Sequence, residues 1–211
     1  VDTAKYNLWK ISDNTADLTD ENGYSIYWTG ENLVNQKVVN GFDAGKSEIT
    51  SIVYKNETTT AKNVVIRTNN EDTILSVEGY VNETDKTSGD TIKHYGIAGE
   101  VNVVKCAMAS FYEYGEIKGS VVITEGHFVL EDKSTVGTIE VSSNAVKDSV
   151  KLTNKSTESV VVKDAENKIS ADSSIGENSV KVTDQNAVAL VGNKTYSSLY
   201  EAFNEVNDGD T

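Results

Sequence analysis

From Thr50 onward the apolar residues fall into short runs in which every second position is hydrophobic. The runs can be laid over one another. One ladder of pairs reads Val101/Val103, Val121/Ile123, Ile139/Val141, Val160/Val162 and Val180/Val182, at steps of 20, 18, 21 and 20 residues. A second reads Met108, Phe128/Leu130, Val150/Leu152, Ile169/Ala171 and Val188/Leu190, at steps of 20, 22, 19 and 19, about half a turn out of phase with the first. A spacing of two within each pair is that of a strand with one buried face. Strands this short do not hold together alone, but stacked ~4.8 Å apart each pairs with the strand above and below. The pattern therefore predicts an all-β fold, a parallel β-solenoid over residues 50–192 with about twenty residues per turn. It places Val121, Ile139, Val160 and Val180 in one column. An antiparallel sandwich would also need alternating strands, but has no reason to repeat at twenty.

Polar and glycine positions repeat as well. His94-Tyr95-Gly96 returns nineteen residues later as Glu113-Tyr114-Gly115, and Gly99 with Val101 and Val103 returns as Gly119 with Val121 and Ile123. Residues 79–90 are polar and read as a loop. Residues 1–49 lack the repeat. Asn22-Gly23 before Tyr24–Trp28 is a hairpin signal, and the segment reads as a β-rich lead-in that covers the first turn, since an open solenoid end exposes a sheet edge. Past residue 192 the period changes. Leu199, Ala202, Phe203 and Val206 follow helical spacing, Ser198 and Glu201 form a capping box, and Asp208-Gly209 supplies a stop, so residues 193–211 hold an amphipathic helix over 198–207. That helix is expected to lie across the last rung near Val188 and Leu190, or to begin a following module. The sequence is expected to continue beyond Thr211; no signal-peptide pattern stands at Val1, which is not a natural start, so a leader is expected either to have been removed or never to have been included.

Composition narrows the partners. The chain has 211 residues, 33 acidic against 19 basic, a net charge of −14, and no proline. Gripping phosphate backbones needs clustered Lys and Arg, and Arg67 is the only arginine, so nucleic acid is a poor partner. No apolar run is long enough to span a membrane. Cys106 is alone, and its setting in V-V-K-C-A-M reads as a buried, inert thiol.

The helix Y-S-S-L-Y-E-A-F-N-E-V-N-D-G-D-T resembles the opening of right-handed parallel β-helix domains of the pectate-lyase-like type. The H-Y-G and E-Y-G rungs resemble repeats of large cell-surface and secreted proteins of Gram-positive bacteria. The resemblance covers roughly residues 60–211 and implies an extracellular or cell-wall location, with glycans or surface proteins as partners. The superfold includes polysaccharide lyases and hydrolases, so catalysis has to be looked for in the residues. The arginine base and clustered acids of pectate lyases cannot be assembled around Arg67. The several aspartates, histidine and R-x-K of polygalacturonases do not occur.

The acids at Glu131-Asp132 and Asp164–Glu166 read as solvated corners, and His94 and His127 as neutral structural histidines. Asp13, Thr15 and Asp17 lack the glycine of a calcium loop. No cofactor or metal site is expected. Tyr95, Tyr112 and Tyr114, beside Phe111, form an aromatic patch that suits either a glycan platform or a stiffening stack. The first reading is a non-catalytic stalk or adhesion module. A carbohydrate-binding module is the second, and a lyase or hydrolase the third.

Overall fold

The computed structural model describes residues 51–206 except 70, 107–110, 178, 185 and 193, together with four short strands within the first fifty residues. Those four are β1 (Ile11–Ser12), β2 (Asp17–Thr19), β3 (Ser25–Thr29) and β4 (Asn32–Val34). Then come β5 (Ser51–Lys55), β6 (Asn63–Asn69), β7 (Ile74–Glu78), β8 (Thr91–Ala98), β9 (Glu100–Lys105) and β10 (Phe111–Glu113). These are followed by β11 (Glu116–Ile123), β12 (Gly126–Leu130), β13 (Thr135–Val141), β14 (Val150–Asn154), β15 (Val161–Lys163) and β16 (Val180–Val182). The chain closes with β17 (Ala189–Val191), β18 (Lys194–Tyr196) and helix α1 (Leu199–Glu205).

From β5 to β16 the chain is a parallel β-solenoid of about six turns. One column stacks β5, β7, β9, the second half of β11, β13, β15 and β16, every pair parallel. Ile52, Leu75, Val101, Val121, Ile139 and Val162 follow one another in register at steps of 23, 26, 20, 18 and 23 residues. The second column stacks β6, β8, β10, β12 and β14. Between the columns runs a short third face, where Ile97, Glu116 and Thr135 pair in sequence beside Ala98, Ile117 and Val136. Inward residues of all three faces form one apolar core. Like side chains pile up along it, as with Phe111 on Phe128 at 5.5 Å between ring centres.

The pairing of Val121 with Ile139 is parallel, as the ladder predicts, but the column then departs from the sequence reading. Ile139 lies opposite Val162, not Val160, while Val180 lies opposite Val161 and is only half-buried. Phe128 likewise faces Leu152 rather than Val150, and its partner on the other side is Phe111; Met108 lies outside the described residues. At Val162 and Leu152 the shift is two residues, which keeps the same side chains inward, so alternation alone cannot distinguish the two registers. At Val180 it is one residue, and Val182 is the buried residue of β16. Val104 follows the inward Val103 and points outward, nearly half exposed; the bulge there against β7 resets the alternation, so that Cys106 comes in.

The two ends differ. Towards the N-terminus β2 pairs antiparallel with β5, and β1 antiparallel with β6. β3 and β4 extend that layer. At the other end β17 and β18 form a separate antiparallel hairpin, so Val188 and Leu190 do not make a further rung. Helix α1 starts as expected, with the Ser198 hydroxyl accepting from the Glu201 N–H, and packs on this hairpin. Only Ala202 of its apolar face is buried. Leu199, Phe203 and Val206 are exposed, which overturns the expectation that they shield a last rung. The Asp208-Gly209 stop lies outside the described residues.

Candidate functional site

The H-Y-G and E-Y-G segments lie directly over one another on adjacent turns. β8 alternates inward Ile92 and His94 with outward Lys93 and Tyr95, and β10 places Phe111 and Glu113 inward with Tyr112 between them. In-register pairing sets Glu113 on His94. The glycines end both segments because no side chain fits: a Cβ on Gly115 would come within 2.1 Å of the Gly96 carbonyl oxygen.

On the inner side this register builds a buried polar line. His94 Nδ1 is 2.7 Å from Glu113 Oε2, with both side chains fully enclosed. His94 Nε2 is 2.7 Å from the Thr68 hydroxyl, which donates to the Ile97 carbonyl at 2.6 Å. Glu113 Oε1 accepts the Gly115 N–H at 2.7 Å. The hydroxyl has one proton and spends it on a carbonyl, so His94 Nε2 must carry a hydrogen and donate to Thr68. A hydroxyl, an imidazole and a carboxylate in this order could form a nucleophile with its base, but only where the hydroxyl proton is free for the imidazole and a substrate can reach it. Neither holds. Thr68 is 3% exposed. His94 was legible as a structural histidine; its carboxylate partner was signalled only by the nineteen-residue equivalence of the two segments.

On the outer side Tyr95 and Tyr114 stack face to face, 4.7 Å between centres and 7° from coplanar. That separation is the strand spacing of a sheet. Tyr112 is not part of this stack; it lies in register with Lys93 and Val129. Phe111 belongs to the core. Lys155 stands close to Tyr112 and Tyr114 and bonds Glu131 at 2.8 Å. Its ammonium is held above the ordinary lysine range first by that carboxylate and more weakly by the two phenols. Each tyrosine of the pair covers a face of the other, where a sugar-binding row would turn its faces to solvent.

A second concavity, of about 380 Å³, opens where Glu140, Lys163, Asp164, Glu166, Lys168 and Asp184 meet. Its acids are tied by salt bridges: Glu140 to Lys163 at 2.9 Å and Glu166 to Lys168 at 3.0 Å. Asp164 corrects the sequence reading, for it is buried rather than solvated. Burial pushes its carboxyl up, but the N–H groups of Lys168 and Ile169 and the ammonium of Lys181 outweigh this and hold it below the ordinary aspartate range. It locks the corner between β15 and Ile169.

Among the described residues no three His, Cys, Asp or Glu side chains are grouped to hold a metal ion. His127 Nε2 bonds the Thr153 hydroxyl at 2.8 Å. The Cys106 thiol is buried, which pushes it up to about 12 and leaves it unreactive at neutral pH. Compared with protein-family models, curated proteins and solved structures, the chain matches none.

Proposed function

We propose that this protein is a non-catalytic structural or adhesion module, a rigid β-solenoid stalk that holds neighbouring domains apart. The observation that carries the reading is the unbroken run of parallel pairing from β5 to β16 around a single core. Six turns at ~4.8 Å make a rod ~29 Å long whose bending would break main-chain bonds on every face. The buried acids serve the rod, Asp164 at a corner and Glu113 within β10, and the tyrosine pair reads as a stiffening stack. The likeness of the H-Y-G and E-Y-G rungs to repeats of bacterial surface proteins supports a place outside the cell, with glycans or surface proteins as partners.

The test is to insert the protein between two fluorescent domains and measure their distance distribution by single-molecule energy transfer. A narrow distribution that broadens when the core is broken by Val160→Asp is expected. A broad distribution in the unmodified protein would contradict a stalk, and turnover of acidic polysaccharides would contradict the non-catalytic reading. Glycan-array binding lost on Tyr95→Ala, Tyr112→Ala or Tyr114→Ala would favour a carbohydrate-binding module instead.

A further inference from the structure

We propose that Asn82 is a site of N-linked glycosylation, taking an oligosaccharide on its side-chain nitrogen. The motif Asn-x-Ser/Thr marks such acceptors, and the chain carries it four times, at Asn56, Asn82, Asn154 and Asn193. Sequence ranks none above the others. Asn193 lies outside the described residues, and the structure separates the remaining three.

All three share one local bond, in which the side-chain carbonyl accepts the N–H two residues on. Thr58 donates to Asn56 at 3.0 Å, Thr84 to Asn82 at 2.9 Å and Ser156 to Asn154 at 2.9 Å. They differ at the nitrogen. Asn56, only 7% exposed, donates from Nδ2 to the Thr60 carbonyl at 3.0 Å and to the Asp90 carboxylate at 2.8 Å. Asn154 donates from Nδ2 to the Ile175 carbonyl and the Ser179 hydroxyl, both at 3.2 Å. A sugar on either nitrogen would replace a hydrogen that ties the corner to a later stretch of chain. Asn82 Nδ2 makes no hydrogen bond. The hydroxyl of the motif divides the sites in the same way. That of Thr58 donates to Asn56 Oδ1 at 2.7 Å, and that of Ser156 accepts the Glu158 N–H at 3.2 Å. Thr84 is exposed and its hydroxyl has no partner.

The loop presents the asparagine in a fixed form. It leaves the stack between β7 and β8, and Val81 pairs antiparallel with Gly89 at its base. The Asn82 N–H donates to the Ser88 carbonyl and its own carbonyl accepts the Lys86 N–H, each at 2.8 Å. Glu83 is held by Lys86 and Lys105. A glycan on Asn82 therefore displaces no rung of the solenoid.

The co-reactant is an oligosaccharide carried on a polyprenyl diphosphate. Nδ2 bonds to C1 of the first sugar as the bond from C1 to the diphosphate oxygen breaks. The lipid diphosphate leaves with the electron pair, and one Nδ2 hydrogen passes as a proton to a base of the transferring enzyme. Oδ1 is untouched, so the bond from Thr84 survives. The inference rests on the placement outside the cell proposed above, since an exported chain is the one that meets such an enzyme.

The test is made without cells, so that its failure and the failure of that placement are distinguishable. The purified, folded chain is incubated with an oligosaccharyltransferase and its lipid-linked oligosaccharide, and a standard acceptor peptide shows that the enzyme is active. Peptide mass mapping is expected to find the glycan on Asn82 and none on Asn56 or Asn154. Asn82→Gln, and separately Thr84→Ala, should abolish modification of this loop with the circular dichroism of the chain unchanged. An unmodified Asn82 overturns the proposal, as does equal modification of Asn56 or Asn154 in the folded chain.

Discussion

Gly115 lies so close over Gly96 of the turn before that a Cβ on Gly115 would stand 2.6 Å from the Gly96 nitrogen and 2.1 Å from its carbonyl oxygen. The obstacle is backbone, which cannot swing aside as a side chain end can. Gly115→Ala is expected to cost about 3 kcal/mol by overpacking, read as a lowered denaturant midpoint. Gly192 offers the contrast. Its φ is +59° but nothing lies within 4 Å of its missing Cβ, so Gly192→Ala should cost only about 1 kcal/mol. Equal losses would mean that conformation rather than contact decides at Gly115.

Val160 and Glu158 test the inner and outer assignment. Val160 is 3% exposed within the core, and Glu158 is exposed two residues before it. Val160→Asp places an unpaired charge inside and should cost about 3–5 kcal/mol, while Glu158→Lys should change the melting temperature little.

Asp164 should give the protein part of its acid limb. An aspartate in the unfolded chain takes up its proton near pH ~3.9, and the native one does so lower, held down by its N–H donors and Lys181. Below about pH 4 the unfolded chain therefore binds the extra proton, and stability falls with falling pH until the native carboxyl is protonated too. Asp164→Asn should be less stable at neutral pH yet show a shallower loss between pH 5 and 2. An unchanged slope in acid titrations followed by circular dichroism would show that other carboxylates carry the limb.

Helix α1 separates the exposed from the docked part of its apolar face. Phe203 is 74% exposed, so Phe203→Ser should leave the melting temperature of this chain unchanged. Ala202 is buried against the hairpin, and Ala202→Asp should release the helix, seen as fast amide exchange over 199–205 without global unfolding.

Alternation made most of the fold legible. Val101, Val121 and Ile139 were placed correctly because a strand with one wet face announces its period. Val160 and Val162 could not be told apart, since both point inward and only the length of the corner before them decides which meets Ile139. The corners hid other things as well. Asp164 looks like any acid in a turn until its donors, the N–H groups four and five residues on, are seen to converge on it. Apart from each other, His94 and Glu113 have the apolar Ile66 and Leu130 as their register neighbours in the column, so the hydrophobic ladder passes over them. The tyrosines were grouped as one patch on adjacent rungs; the nineteen-residue repeat already equates Tyr95 with Tyr114, which stack, while register leaves Tyr112 beside Lys93.

The reversal of direction at β1 and β2 has a consequence for growth. A parallel stack is a template: each turn offers the next a row of donors and acceptors already set for copying in the same sense. Where β2 runs antiparallel on β5, and β1 on β6, that copying stops, because the surface presented beyond them no longer has the sense of the rungs behind. Among the described residues no strand pairs with β16 on the side away from β15. The solenoid is therefore polar, its rungs running in one sense as far as β16 and reversed in sense at β1 and β2.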